Sequence, residues 1–158
     1  MIQYYSSKKR IDLLFFVKNN FNEDFYVTIN NKRKFVVNSE TLNLFLKNSF
    51  NVLLNYENGD INGVIGVWKS NGANIERSYV KLLASDYKVA YKLLSVLLWN
   101  TKRELFVKIK KNSSFLSLFK EKGFKFFGDR GSEILLKRDK VEEISKKEKE
   151  NVSKSFVN

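Results

Sequence analysis

The segment that most limits the fold is Glu57-Asn58-Gly59-Asp60, which stands between two runs of period-two residues, Phe50 to Tyr56 and Ile61 to Trp68. An Asn-Gly pair accepts the positive φ angles of a tight hairpin turn, so the two runs are read as antiparallel neighbours. After Ser70-Asn71-Gly72, a third strand-like run, Ile75 to Ala84, continues the series. Ser85-Asp86 then supplies N-cap residues, and Tyr87, Ala90, Leu94, Leu97 and Leu98 recur on one face of the helix that follows. Lys88, Lys92 and Ser95 lie off that face. From Leu105 to Ile109 the period returns to two, with Leu105, Val107 and Ile109 facing one way. A helix that crosses between two strands of one sheet makes them parallel, so the fold class is α/β or α+β.

Around this frame the remaining elements are shorter. Ile2 and Tyr4, alternating with Gln3, fit a first strand, and Ser6 or Ser7 is placed to cap a helix carrying Ile11, Leu14, Phe15 and Lys18 at helical spacing. Residues 21–38 show no clear period. Asn38-Ser39-Glu40-Thr41 opens a second helix with Leu42, Phe45 and Leu46 on one side. Asn112 or Ser113 caps a helix over 113–122 that packs Phe115, Leu118 and Phe119 and stops at Gly123, where the missing Cβ favours a left-handed C-cap. Residues 124–138 hold one or two strands about the Asp129-Arg130-Gly131 turn. No repeat or Gly/Ser linker interrupts residues 1–138, which are expected to form one domain. In the tail, 139–158, the i,i+4 pairs Glu142/Lys146, Glu143/Lys147 and Glu150/Lys154 predict a solvated charged helix, with docking onto the body or a second subunit as the other reading.

The 158 residues include no Cys, no His and no Pro. Without thiolate or imidazole there is no zinc site of the usual N/S kind, no disulfide framework, no Cys nucleophile and no triad resting on an imidazole base. No metal is therefore expected, and proton transfer falls to carboxylates, Lys, Tyr, termini, backbone or water. The formal charge is +12, and residues 139–158 contribute nothing to it, having five acids and five lysines. Residues 101–138 carry eleven Lys and Arg against four Asp and Glu. Such an excess attracts nucleic-acid phosphates, a nucleotide-bearing cofactor or an acidic substrate, unless it is simply solvated surface. The longest apolar runs, Leu13 to Val17 and Val96 to Trp99, are far shorter than the roughly 20 residues a membrane-spanning helix needs. The start lacks the long apolar region of a secretory signal, so a cytoplasmic protein without membrane partners is expected.

One segment carries a family resemblance. Asn112-Ser113-Ser114-Phe115-Leu116-Ser117-Leu118-Phe119-Lys120-Glu121-Lys122-Gly123-Phe124 resembles the N-x-x-A-I-x-L-Y-x-K-x-G-F segment of the GNAT superfamily of N-acetyltransferases. The preceding strand, the crossover helix and the Asn-Gly hairpin also fall where that family has them. The resemblance implies a mixed, mostly antiparallel central sheet with helices on both faces and a parallel pair of strands that splay apart. It further implies that acetyl-CoA, or another acyl-CoA, lies in the opening, with its pyrophosphate on backbone N–H groups at the start of the crossover helix. A primary amine, on a small molecule or a protein, attacks the thioester directly.

The resemblance assigns residues unevenly. The family's pyrophosphate loop, Q/R-x-x-G-x-G/A, falls on Ser85-Asp86-Tyr87-Lys88-Val89-Ala90, where only Ala90 conforms. Leu82, Ala84, Ser85, Tyr87, Lys88, Val89 and Ala90 are thus the candidate cofactor residues of the strand and helix start. Asp86 brings a negative charge to the phosphate end, and Lys88 an offsetting positive one; Ser85-Asp86 also serves simply as an N-cap. Asn112 matches the family's asparagine, which contacts the pantetheine arm, and is equally suited to capping. Phe119, also a candidate cofactor residue, stands where many relatives have the tyrosine that protonates the leaving thiolate, and as a phenylalanine it packs but donates nothing. Glu76, on the strand leading to the opening, is the candidate general base, and Tyr79 a candidate proton donor.

Three functions remain open at this point. The first is GNAT-type acyl transfer to a primary amine by a monomer or homodimer. The second is a catalytically degenerate binding module on the same fold, suggested by Lys88 and Phe119. The third is a basic nucleic-acid-binding domain, disfavoured because Phe115, Phe119, Phe124, Phe126 and Phe127 fall at positions expected to be buried.

Overall fold

The computed structural model describes residues 1–72 and 75–141. The tail helix expected within 139–158 lies almost wholly outside them. Nine strands and four α-helices follow in the order β1 (Ile2–Tyr4), α1 (Arg10–Asn19), β2 (Tyr26–Ile29), β3 (Lys32–Phe35), α2 (Ser39–Lys47), β4 (Ser49–Glu57), β5 (Asp60–Gly72), β6 (Ile75–Ala84), α3 (Tyr87–Asn100), β7 (Leu105–Lys110), α4 (Leu116–Glu121), β8 (Lys125–Arg130) and β9 (Glu133–Arg138) among the described residues.

Seven strands form one sheet in the order β1-β4-β5-β6-β7-β9-β8, antiparallel throughout except for the parallel neighbours β6 and β7. The β4–β5 turn has Asn58 at φ +54° and Gly59 at φ +83°, as the Asn-Gly pair predicts. Residues 21–38, which lack a readable period, contain the separate hairpin β2–β3, turned by Asn30 and Asn31 with φ of +51° and +62°. Four residues in each strand, Tyr26-Val27-Thr28-Ile29 and Lys32-Arg33-Lys34-Phe35, are too few to display alternation.

Alternation along the strands sends side chains to two separate cores. One face of the sheet presents Leu53, Ile65, Val67, Val80, Leu82, Val107 and Ile109 to α3 and α4, whose Leu94, Leu97, Leu118 and Phe119 are buried against it. The other face presents Val52, Leu54, Val64, Trp68 and Leu83 to α1 and α2. Helices therefore cover both faces, as expected. The close approach of α3 to β5 depends on Gly63, where an added Cβ would stand 2.6 Å from Val89 Cγ1 and 2.7 Å from Leu93 Cδ1. Because a β-branched valine has little freedom to turn away, Gly63→Ala is expected to destabilise the fold by about 1–3 kcal/mol, measurable by urea unfolding.

The helix ends follow the sequence in part. Asn38 caps α2 through its side chain, accepting from the Thr41 N–H at 2.9 Å. Gly123 is left-handed at φ +94°, and Phe124 folds back onto Phe119 with ring centroids 5.2 Å apart. The first helix departs from expectation. It begins at Arg10 after a 3-10 turn over Ser7–Lys9, without a serine side-chain cap, and buries Leu13, Phe16 and Val17. Ile11 and Phe15 are instead 78% and 71% exposed. The two apolar faces of this helix are equally plausible from spacing, and the sheet selects the one that includes Val17. Helix α4 is also shorter than predicted, because the Ser113 hydroxyl accepts from Phe115 N–H and the chain turns before it coils.

Candidate functional site

Strands β6 and β7 are joined by a single registered pair, Tyr79 with Phe106. Beyond it the strands diverge, since the N–H of Lys110 donates to the Asp24 carboxylate at 3.1 Å. The divergence leaves a narrow slot of about 10 Å³ lined by Val80, Leu82, Val107, Ile109, Phe115 and Phe119 on the α3 side and by Asn22, Asp24 and Lys108 on the other. As it stands the slot admits only water-sized groups at any point. Its apolar walls are backed by α4, where Phe119 packs, and α3 begins beside it directly after β6.

At the start of α3 the Asp86 carboxylate accepts from Val89 N–H at 2.9 Å. This occupies one of the first-turn donors that a phosphate would otherwise use, and it leaves the N–H groups of Tyr87 and Lys88 without an intrahelical acceptor. Ser85 N–H donates to Asn62 O at 2.9 Å, which ties the loop to β5. Val89 and Ala90 are buried, seating the helix, whereas Ser85, Tyr87 and Lys88 are exposed. Tyr87 Oη stands 3.5 Å from Glu121 Oε2, bringing the start of α3 against the end of α4. The structure thus brings Leu82, Ala84, Ser85, Tyr87, Lys88, Val89, Ala90 and Phe119 together around the slot and the helix start. Asn112 is exposed just after β7.

The candidate base and acid are placed apart. Glu76 stands three residues before the Tyr79–Phe106 pair, about 10 Å along the strand on the side away from the slot. Its exposed carboxylate faces Lys69 at 3.9 Å, in a surface depression that also includes Phe50 and Arg103. Tyr79, a member of the registered pair itself, is half-buried against the α1–α2 core, with its ring 6.0 Å from Phe106.

On the face opposite α3, Asn22 and Asp24 ahead of β2 line the slot, and hairpin β2–β3 assembles a cluster of charged groups beside them. Glu133 of β9 is buried and accepts from Tyr26 Oη at 3.0 Å and from the Arg33 guanidinium. Lys110 pairs with Glu23 at the edge of the same hairpin. Lys81 of β6, between the slot-lining Val80 and Leu82, projects beneath Tyr26 with its ammonium 4.0 Å from that ring centroid and 5.7 Å from that of Tyr79. Burial pushes the Lys81 ammonium down to about 7, with Lys108 adding to the effect and Glu133 opposing it. Burial also raises the Asp24 carboxyl, against the hydrogen bond from Lys110, and raises the Tyr26 phenol, with Glu133 next. One signal was available: Lys81 interrupts Val80-Lys81-Leu82-Leu83, a run otherwise apolar on both faces.

The phenylalanines of the basic segment divide. Phe119 and Phe124 are buried, but Phe126 and Phe127 on β8 are exposed, contrary to expectation. Phe127 is covered by Arg77 and Lys137, whose cationic groups lie 5.5 and 5.4 Å from its centroid. No helix among the described residues is long and apolar enough to cross a membrane, and no group of three or more acidic side chains among them is arranged to hold a metal.

The lining is apolar, as an acyl or pantetheine chain requires, but β6 and β7 must part further to admit one; the Tyr87 and Lys88 N–H groups are donors of the kind a phosphate accepts. No protein-family model matches the sequence, and no curated protein matches it. Solved structures do match. A ribosomal-protein-alanine N-acetyltransferase from Brucella melitensis superposes with a TM-score of 0.66 at 15% identity, over 88% of this chain and 99% of that one. A GNAT-family acetyltransferase from Streptococcus pneumoniae gives 0.63 at 16% identity, over 87% and 98%. The PaiA N-acetyltransferase of Thermoplasma acidophilum, solved in complex with coenzyme A, gives 0.59 at 14% identity, over 88% and 98%. With β6 and β7 parallel and parting beside the start of α3, this chain has the GNAT N-acetyltransferase fold.

Proposed function

We propose that the protein is an acyltransferase that moves an acyl group, acetyl in the first instance, from an acyl-CoA to a primary amine by direct attack. The observation that carries this reading is the parting of β6 and β7 after one registered pair, with an apolar slot between them and a helix start beside it. The coenzyme A bound by the Thermoplasma neighbour on the same fold supports the cofactor class.

Leu82, Val107, Ile109 and Phe119 would hold the arm, and the Tyr87 and Lys88 N–H groups with the Lys88 ammonium would hold the phosphates. When bound, an acyl-CoA supplies a thioester carbonyl open to an amine and a thiol leaving group. The chain's own residues position and desolvate. Phe115 and Phe119 give the slot apolar walls, and the buried Val89 and Ala90 fix the helix start on β5.

Calorimetric titration with acetyl-CoA tests the reading, and thiol release in the presence of primary amines extends it. Because the chain has no cysteine, any free thiol that appears is the cofactor's. Saturable binding with amine-dependent thiol release is expected, and the absence of binding at millimolar cofactor would contradict the reading. Asp86→Asn keeps the cap and removes a charge from the phosphate end, so it is expected to tighten acetyl-CoA binding roughly three- to fivefold at a cost of about 0.3–1 kcal/mol in stability.

The second reading, a binding module without transfer, is favoured by one observation: Asp86 already occupies the Val89 N–H. It predicts cofactor or ligand binding with no amine-dependent thiol release in either the parent or Asp86→Asn.

A further inference from the structure

Lys81 is only 4% exposed, yet among the described residues its ammonium has no hydrogen bond and no ion pair. Its contacts are the rings of Tyr26 and Tyr79. Burying a lysine in this way is unfavourable unless something is gained from it, because a charged group loses its hydration and gains no carboxylate in direct contact. The packing alone gains nothing from the amine: Lys81 is flanked by Val80, Leu82 and Leu83, and an apolar side chain would serve there.

Its place suggests a use. Lys81 sits two residues past the Tyr79–Phe106 pair, where the strands begin to part, and its side chain lies on the face of the sheet opposite α3. Asp24 and Lys108, which line the slot, belong to the same charged cluster. The groups facing Lys81 are Asp24 ahead of β2, Tyr26 of β2, Arg33 of β3, Tyr79 of its own strand, Lys108 of β7 and Glu133 of β9. Glu133 is already engaged by Arg33 and Tyr26, and Asp24 by the Lys110 N–H. Two aromatic faces with partly committed carboxylates attract one small cation, and two ammonium groups held together there cannot both keep their charge.

We propose that Lys81 is a catalytic residue, the proton acceptor for a primary alkylammonium substrate entering from the β2–β3 side of the slot. This rests on the acyltransferase reading and names its base. The step is a single proton transfer: one N–H bond of the substrate ammonium breaks, one forms at Lys81 Nζ, and no electrons change hands. The substrate is left as a free amine with its lone pair available, and the proton passes from Lys81 to solvent afterwards. Substrates without a basic primary amine gain nothing from the arrangement.

The test uses two independent readouts on the whole chain. In the first, trace acetylation with acetic anhydride across pH, without cofactor, is followed at Lys81 by peptide mass spectrometry. Lys81 is expected to titrate with a midpoint of about 7, as its burial dictates, and a midpoint in the ordinary lysine range would overturn the proposal. In the second, thiol release from acetyl-CoA is measured with propylamine, spermidine and an amino-terminal peptide as acceptors. Lys81→Met is expected to lower kcat by about 10²- to 10⁴-fold, to leave the KM for acetyl-CoA within roughly threefold, and to flatten the rise of kcat through neutral pH. A Lys81→Met protein with the parent's kcat and pH profile overturns the proposal, as does an intact protein whose Lys81 becomes stably acetylated by acetyl-CoA. If the parent releases no thiol with any acceptor while Lys81 still titrates near neutrality, the acyltransferase reading has failed and the assigned role falls with it. An active parent with a dispensable Lys81 instead leaves that reading standing.

Discussion

Lys81→Met is expected to give a more stable protein that has lost part of the pH dependence of its stability. In the parent, Lys81 has an ordinary affinity for its proton when unfolded, at 10.5, and a weakened one, at about 7, when folded. Between those values the unfolded chain binds a proton that the folded chain does not, so stability rises with pH by roughly 1.4 kcal/mol per unit. Below about pH 7 both states are protonated and the rise is absent. Near pH 10 and above, the raised Tyr26 phenol works in the opposite direction, so the usable window is about 7–9.5. Methionine carries no proton and fills a similar volume. Its protein should therefore unfold about 1–4 kcal/mol later at neutral pH, with the slope in this window reduced by one proton's worth. Urea titrations at several pH values measure both quantities, and an unchanged slope would mean that Lys81 titrates normally in the folded state. A gain in stability together with a loss of kcat would mark a residue kept for chemistry rather than packing.

The second large effect is expected at Phe119. Its side chain is buried between α4 and the sheet, in edge contact with Phe124, and it forms one wall of the slot. Phe119→Ala removes a buried aromatic ring and leaves a cavity that the short α4 cannot close, at a cost of about 3–5 kcal/mol. Phe119→Leu should cost much less, because most of the volume remains. Thermal or urea unfolding of the two variants separates a structural wall from a replaceable surface residue, and equal midpoints for Ala and Leu would show that the ring is not close-packed.

How much of this was readable beforehand depends on what each residue's signal requires. The β4–β5 hairpin, the crossover through α3 and the Gly123 cap are local events with local chemistry, and each was legible in its own segment. The face of α1 was not, because Ile11 and Phe15 form as good a stripe as Leu13, Phe16 and Val17 until a sheet is present to choose between them. Hairpin β2–β3 was hidden for the same reason. Its strands are short, and what holds them beside the slot are Tyr26, Arg33 and Asp24, whose partners Glu133 and Lys110 are about a hundred residues away in the chain. The candidate cofactor residues around Leu82 to Ala90 gathered because strand and helix are continuous there. Lys81, immediately before that stretch, is not legible as a site residue, because a lysine on a strand reads as solvent-facing unless the run around it is seen to be buried on both sides. The exposure of Phe126 and Phe127 arises from the edge position of β8, which sequence periodicity does not reveal.

On the proposed function, an acyl arm enters between β6 and β7. Methyl and amide NMR spectra recorded while acetyl-CoA is added test it most directly. The expected result is saturable shifts at the methyl groups of Val80, Leu82, Val107 and Ile109 and at the amides of Tyr87 and Lys88, with the α1–α2 core residues Leu13 and Leu42 unmoved. Saturable shifts confined to other surfaces, or none at millimolar acetyl-CoA, would contradict it.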